Sequence, residues 1–174
     1  MKAREFFNWD RPEFAVIKGR ARDVVEAYQN AARFLDTVKE WVYIHTGMVH
    51  TSDSIHKMAH EMPGLFDKFG DMLHERHLEV MYPATPELTE PIEDMDKAYE
   101  IIIDVLERIS AALEAFHSAA DNAELRPMQL LVEELMLKNS QSYTAIVEQW
   151  SMWDMRVSES SFDNWVAHQM EGRI

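Results

Sequence analysis

Hydrophobic residues recur along the chain at alternating steps of three and four positions, which is the spacing of one face of an α-helix. Between residues 23 and 45 this face consists of Val24, Tyr28, Ala31, Leu35, Val38 and Val42. Gly47 and its polar neighbours interrupt the run, and the same spacing resumes from Ile55 to about Met81. The pattern predicts two long helices joined by a short connection.

Prolines mark the end of the second helix. Pro83, Pro86 and Pro91 favour extended backbone, so residues 82–91 are predicted to form a linker. The second helix is about 40 Å long at ~1.5 Å per residue, and ten to twelve extended residues reach about as far. The linker is therefore expected to run back along the bundle. Pro63 lies inside the second helix, where it is expected to introduce a kink.

Two more long helices are predicted after the linker. The third carries the cleanest apolar face in the chain, from Ile92 to Phe116, with acidic residues off that face. Pro127 suits the first turn of the fourth helix, whose apolar face runs from Met128 to Trp153. Because each helix buries one face, the sequence predicts an all-α four-helix bundle with a long crossover between helices two and three.

The bundle is predicted to occupy residues 23–157, with an arm before it and a tail after it. Residues 158–174 are expected to form a short fifth helix that covers one end of the bundle or contacts another subunit. Residues 1–22 carry six basic side chains against three acidic ones, together with four aromatic ones. This arm is expected either to dock on the bundle or to make weak, non-specific contact with DNA.

Composition narrows the possible chemistry. The chain of 174 residues has no cysteine, which excludes disulfides, thiolate metal sites and cysteine nucleophiles. Its net charge of -14 repels phosphate backbones and attracts cations, so the bundle itself is not expected to bind duplex DNA. No apolar run reaches the roughly 18 residues of a membrane span, and the first residues do not resemble a signal segment. We therefore expect a soluble, cytoplasmic protein without a membrane partner.

Histidines and carboxylates cluster on the second helix. Six of the eight histidines lie between residues 45 and 77, and acidic residues are interleaved with them. The side chains that follow one line of this helix are His56, His60, Asp67, Asp71 and His74, with Glu75 on nearly the same face. Imidazole and carboxylate ligands together suit iron, zinc or manganese, so the cluster predicts a metal site.

Distance along the helix decides which of these side chains can share an ion. His45 and His56 flank the connection between the first two helices and are predicted to lie opposite each other. Asp71 follows His56 by fifteen residues, about 22 Å along a helix, whereas every ligand of one ion lies about 2.0 to 2.2 Å from it. A site that uses both halves of the set therefore needs a second chain, related by a two-fold axis.

The residues of this cluster resemble a motif of a known family. The D-x-x-x-E-R pattern of residues 71–76, fifteen residues after His56, is similar to the ferroxidase motif of Dps-like mini-ferritins. The likeness covers about residues 24–155 in helix order and length, and about 45–76 in the motif itself. It implies a ferritin-like four-helix bundle that assembles from two-fold dimers into a hollow shell of twelve subunits. Such shells oxidise ferrous iron with peroxide or oxygen, store the ferric product and protect against oxidative stress.

The resemblance also implies a set of iron ligands. Nitrogen ligands from one subunit, His45 and His56, would meet oxygen ligands from its neighbour, Asp71 and Glu75. Beside these four, His60 and His74 lie on the same line of the helix and are candidate accessory ligands, which the resemblance does not itself imply. The chain has Thr46 where the family commonly has tryptophan, and His60 where the family has an acidic residue.

Two other functions stay open at this stage. In the first, one subunit binds metal on its own through His45, His56 and His60, as in hemerythrin-like or metal-dependent hydrolase-like bundles. The paired carboxylates of ferritin-like di-iron enzymes fit less well, because helix four lacks the second Glu-x-x-His half of that motif. In the second, the chain is a helical assembly or interaction protein that binds no physiological metal.

Overall fold

Five α-helices make up most of the computed structural model, which describes residues 12–172. They are α1 (Pro12–Thr46), α2 (Val49–Glu75), α3 (Met95–Asn122), α4 (Arg126–Asp154) and α5 (Glu159–Glu171). The described residues contain no strand. None of these helices is long and apolar enough to cross a membrane. The prediction of an all-α fold with four long helices and a short fifth one is confirmed.

α1 and α2 form one antiparallel hairpin, and α3 and α4 form another. Ser52 near the start of α2 donates a hydrogen bond to the carbonyl oxygen of Lys39 near the end of α1, at 3.1 Å. In the second hairpin Asn139 donates to the carbonyl oxygen of Leu106 at 2.8 Å. α1 packs on both α2 and α3, while α4 packs on α3 and less extensively on α2. The four helices therefore enclose one core.

α2 and α3 begin at the same end of the bundle, because both contact the C-terminal part of α4. Gln149 donates to the hydroxyl of Ser54 in α2 at 3.1 Å, and Trp150 donates to Asp96 in α3 at 2.8 Å. The two helices are therefore parallel, and residues 76–94 must run the length of the bundle between them. Nineteen extended residues span up to about 60 Å, more than the ~40 Å of α2. The predicted long crossover is confirmed.

The crossover is longer than its prolines indicated, since α2 ends at Glu75 rather than six residues later. The backbone N–H of Leu78 bonds to the carbonyl oxygen of Leu73, and His77 has a positive φ of 59°, which together close the last turn. Leu78 and Val80 are buried without being helical. Val80 continues the apolar spacing of α2, and for that reason the pattern predicted helix there.

α1 begins at Pro12, eleven residues before the predicted start of the bundle at residue 23. The buried side chains that extend its apolar face are Phe14, Ile17 and Ala21. The basic residues between them are exposed, and because of their charge the sequence indicated an arm where the backbone is helical. Residues 12–22 are thus part of α1 rather than of an arm. The remaining arm residues, 1–11, lie outside the described residues, and their DNA contact stays a prediction.

The interior of the bundle is almost entirely apolar. Phe69 and Phe116 meet edge to face, with ring centroids 5.1 Å apart. Asn139, a polar residue on the apolar face of α4, is buried and donates hydrogen bonds to Leu106 and to the hydroxyl of Ser110. No aspartate or glutamate that the structure describes is buried. Any carboxylate ligand among these residues therefore lies at or near the subunit surface.

α5 caps the N-terminus of α2 from the far end of the sequence. Met48, at the N-cap position of α2, makes no side-chain cap bond. Asp163 of α5 instead accepts hydrogen bonds from the backbone N–H groups of Thr51 at 2.7 Å and His50 at 3.3 Å. It also accepts one from the Thr51 hydroxyl at 2.7 Å. Because the neighbouring Phe162 is buried, α5 is held to the bundle by apolar packing as well.

Replacing Asp163 with alanine is expected to destabilise the fold by about 1 to 2 kcal/mol, because backbone donors at the start of α2 lose their acceptor. The free energy of unfolding, measured by urea denaturation, checks this value. Asn164→Ala, at the exposed neighbouring position, is the control and is expected to stay within about 0.5 kcal/mol of the parent. Equal stability of the two variants would contradict the capping role of Asp163.

Candidate metal-binding site

The candidate ligands lie in two groups on α2, with His45 separate from both at the end of α1. The imidazole group consists of His56 and His60, and the carboxylate group consists of Asp71 and Glu75 with His74 between them. α2 continues through Pro63 as a single helix, as the sequence predicted. About 22 Å of helix therefore separates His56 from Asp71. One chain does not bring the two groups together.

The imidazole group lies beside α1. The rings of His56 and His60 meet edge to face, with centroids 4.2 Å apart. The Nδ1 atom of His56 is 3.5 Å from a carboxylate oxygen of Asp36 in α1, and this nitrogen is buried without a hydrogen bond. The Nε2 atom of His56 makes no hydrogen bond to the described residues and retains access to solvent. Nε2 is therefore the nitrogen available to a ligand.

Asp36 is the residue of this site that the sequence reasoning missed. It is one of several exposed polar residues of α1, and the apolar spacing does not distinguish it from the others. The register of the α1–α2 hairpin is the signal that identifies it. Since Ser52 bonds to Lys39, the α1 residue one turn before Lys39 lies beside the α2 residue one turn after Ser52, which is His56.

His45 does not lie opposite His56, and this part of the prediction was wrong. Asp36 occupies that place, while His45 is nine residues further along α1, about 13 Å away along the helix axis. His45 and His56 could lie opposite each other only if the turn were centred near residue 50, midway between them, whereas the turn lies at Gly47, which has a positive φ of 70°. α1 consequently extends beyond the level of His56.

One nitrogen of the His45 ring is engaged, and the other has no partner among the described residues. The ring stacks on Trp41 one turn earlier, with centroids 5.1 Å apart and ring planes inclined by 14°. Its Nδ1 atom lies 3.0 Å from the carbonyl oxygen of Trp41, and because a carbonyl oxygen only accepts, Nδ1 donates the hydrogen. The Nε2 atom of the neutral ring then keeps its lone pair for an external ligand such as a metal ion.

The carboxylate group is exposed at the C-terminal end of α2. Asp71 and Glu75 are one turn apart, so their Cβ atoms are about 5 to 6 Å from each other. Neither carboxylate has a hydrogen bond or an ion pair with any residue that the structure describes. The end of a helix at which they lie is the negative end of its dipole. In an isolated chain the two negative charges are therefore repelled by each other and by the helix dipole, and a bound cation would reduce this repulsion.

The described part of one chain does not complete a metal site. Among residues 12–172, no three histidine, aspartate or glutamate side chains are placed to hold one ion. Within these residues the intrasubunit alternative lacks a third ligand, because His45 is too far along α1 to join His56 and His60. A di-iron site between the helices would need carboxylates inside the bundle, and the described part of the chain buries none.

Comparison with known proteins identifies the fold. The chain matches no protein-family model and no curated protein. Among solved structures, a variant of PmFTN soaked in iron has a TM-score of 0.79 and 10% sequence identity, over 87% of this chain and 96% of that chain. A second iron-soaked PmFTN variant has a TM-score of 0.72 and 11% identity, over 76% of this chain and 85% of that chain. α1 to α4 form a ferritin-like four-helix bundle, and at these identities the likeness shows the fold alone.

Removing the charges of the carboxylate group is expected to stabilise the metal-free protein. In the double variant Asp71→Asn, Glu75→Gln, repulsion between the two side chains and with the helix dipole is lost, which contributes about 0.3 to 1 kcal/mol for each charge. Urea unfolding with a chelator at low ionic strength measures the change. Glu79→Gln, at an exposed position beyond the helix, is the control and should change little. A less stable double variant would mean that these carboxylates have stabilising partners.

Proposed function

We propose that the protein is a Dps-like mini-ferritin, which oxidises ferrous iron at sites shared by two subunits and stores it in a hollow homo-oligomer. The observation that carries this proposal is the separation of free nitrogen ligands from free carboxylates on one continuous helix. Each group presents ligand atoms to solvent, and among the described residues neither group alone has the three side chains placed around one ion that an iron site needs. A second chain supplies what each group lacks.

A two-fold axis beside the middle of α2 would join the two groups. Two copies of α2 that cross antiparallel at residues 63–64 would place His56 opposite Asp71 of the partner subunit, since both lie seven to eight residues from that point. His60 and Asp67 are related in the same way. Imidazoles would then face carboxylates on both sides of the axis, which is electrostatically complementary. Residues 63 and 64 are exposed, and the space beside Gly64 is open.

The combined ligand set suits the oxidation of ferrous iron, which is the substrate here. Imidazole nitrogen binds ferrous iron well, and carboxylate oxygen favours the harder ferric ion. Two ferrous ions give one electron each to hydrogen peroxide, which takes up two protons and forms two water molecules. Oxygen is the alternative electron acceptor. The reaction removes both reagents that generate hydroxyl radicals, so the expected benefit to the cell is protection against oxidative stress.

Two further observations support iron storage by an assembly. The solved structures that share this fold include iron-soaked ones, which supports iron as the metal. A net charge of -14 attracts cations to the protein and thereby raises the local concentration of ferrous iron. The shell of twelve subunits, built on two-fold dimers, follows from the resemblance to Dps-like mini-ferritins.

A cysteine placed near the axis tests the helix crossing directly, because the chain has no cysteine of its own. Gly64→Cys is expected to form covalent dimers under mild oxidation, since the two copies of residue 64 come close across the axis. Gly19→Cys, at an exposed helical glycine with similar open space, is the matched control and should remain largely uncrosslinked. Non-reducing electrophoresis compares the rates. Equal rates for the two variants would exclude a crossing at residues 63–64.

Anaerobic ferrous titration, with light scattering to establish the oligomer, tests the shared site. His56→Ala and Asp71→Ala are each expected to lose binding while still assembling. Random co-assembly of the two variants should restore about a quarter of the sites, because half of the dimers are mixed and one of their two sites is intact. No recovery in verified co-assemblies would contradict the shared site. A wild-type monomer that binds iron would instead favour an intrasubunit site.

A further inference from the structure

Asp36 faces the buried edge of the His56 ring. The Nδ1 atom of His56 is 3.5 Å from the Oδ1 atom of Asp36, and it has neither solvent access nor a hydrogen bond. The His56 side chain as a whole is 44% exposed, so its exposed area belongs to other atoms of the ring, Nε2 among them. The two ring nitrogens therefore differ in surroundings, since one faces a carboxylate and the other faces solvent.

We propose that Asp36 is a positioning residue, which accepts the Nδ1 hydrogen of His56 and so leaves the Nε2 lone pair for ferrous iron. The inference rests on the proposed function, because it concerns the same site. A neutral imidazole carries one N–H, and the nitrogen that faces an acceptor retains it. A carboxylate partner on the far nitrogen also fixes the orientation of a metal-binding histidine and makes it a stronger ligand.

The surroundings of both side chains fit this role. An N–H···O bond has a length of about 2.7 to 3.2 Å, so the present 3.5 Å closes with a small side-chain rotation. Asp36 is free to make that rotation, since its side chain is 55% exposed and pairs with no other described residue. The His60 ring lies with its centroid 4.2 Å from that of His56 and its plane inclined by 76°, and this contact restricts rotation of His56.

Two measurements on the assembled protein test the inference. The first is solid-state ¹⁵N NMR of histidine-labelled protein at about pH 8, where imidazole is neutral, with the His56 signals identified by their loss in His56→Gln. The wild type is expected to hold the hydrogen on Nδ1, and Asp36→Ala is expected to shift it towards Nε2. The second is anaerobic ferrous titration, in which Asp36→Ala should bind about 10 to 100 times more weakly. Asp36→Glu should recover part of this loss.

Glu40→Ala, an exposed acid one turn further along α1, is the matched control and should leave both measurements unchanged. Asp36→Ala that binds iron as tightly as the wild type, with its tautomer unchanged, would overturn the positioning role while leaving the proposed function intact. A wild type that binds no ferrous iron would overturn both. Weaker binding in Glu40→Ala as well would show a general effect of charge and would also overturn the positioning role.

Discussion

The continuity of α2 is the physical constraint on which the candidate site depends. A single helix from Val49 to Glu75 holds its side chains at fixed distances, and Pro63 does not divide it. His56 is therefore rigidly separated from Asp71 by about 22 Å, and His60 from Asp71 by about 16 Å, distances that rotation of side chains cannot close. Because the bundle interior contains no acidic side chain among the described residues, neither the imidazole group nor the carboxylate group can recruit a carboxylate from the interior of its own bundle.

The position of the turn between α1 and α2 determines which residues surround His56. With the turn at Gly47, the hairpin register places Asp36 beside the ring and leaves His45 about 13 Å further along α1. Asp163 of α5 stabilises the same end of the hairpin. Its carboxylate accepts a backbone hydrogen bond at the N-terminus of α2, a cap that the side chain of Met48 does not provide. The fifth helix thus stabilises the part of α2 that carries the imidazole group, although it contributes no ligand itself.

The fold could be predicted largely from the sequence, since each long helix has a continuous apolar face and the prolines mark the crossover. Helix ends were harder to predict, because Leu78 and Val80 are buried although their backbone is not helical, and Ile17 is buried among exposed basic residues. The contact between His56 and Asp36 could not be predicted from the sequence. It depends on how far α1 extends past the start of α2, and a difference of one helical turn in that length would place another residue beside the His56 ring.

A site divided between two chains couples iron binding to assembly. Among the described residues, neither half alone has three side chains placed to hold one ion, and Asp71 and Glu75 in addition repel each other at the negative end of a helix dipole. Iron that binds only when two halves meet must stabilise the dimer, and by thermodynamic linkage the dimer strengthens iron binding by the same free energy. In the proposed dimer, the shared cation would relieve the repulsion that destabilises the separate chain. The electrostatic cost of the carboxylate group would thereby favour the iron-loaded assembly over the free subunit.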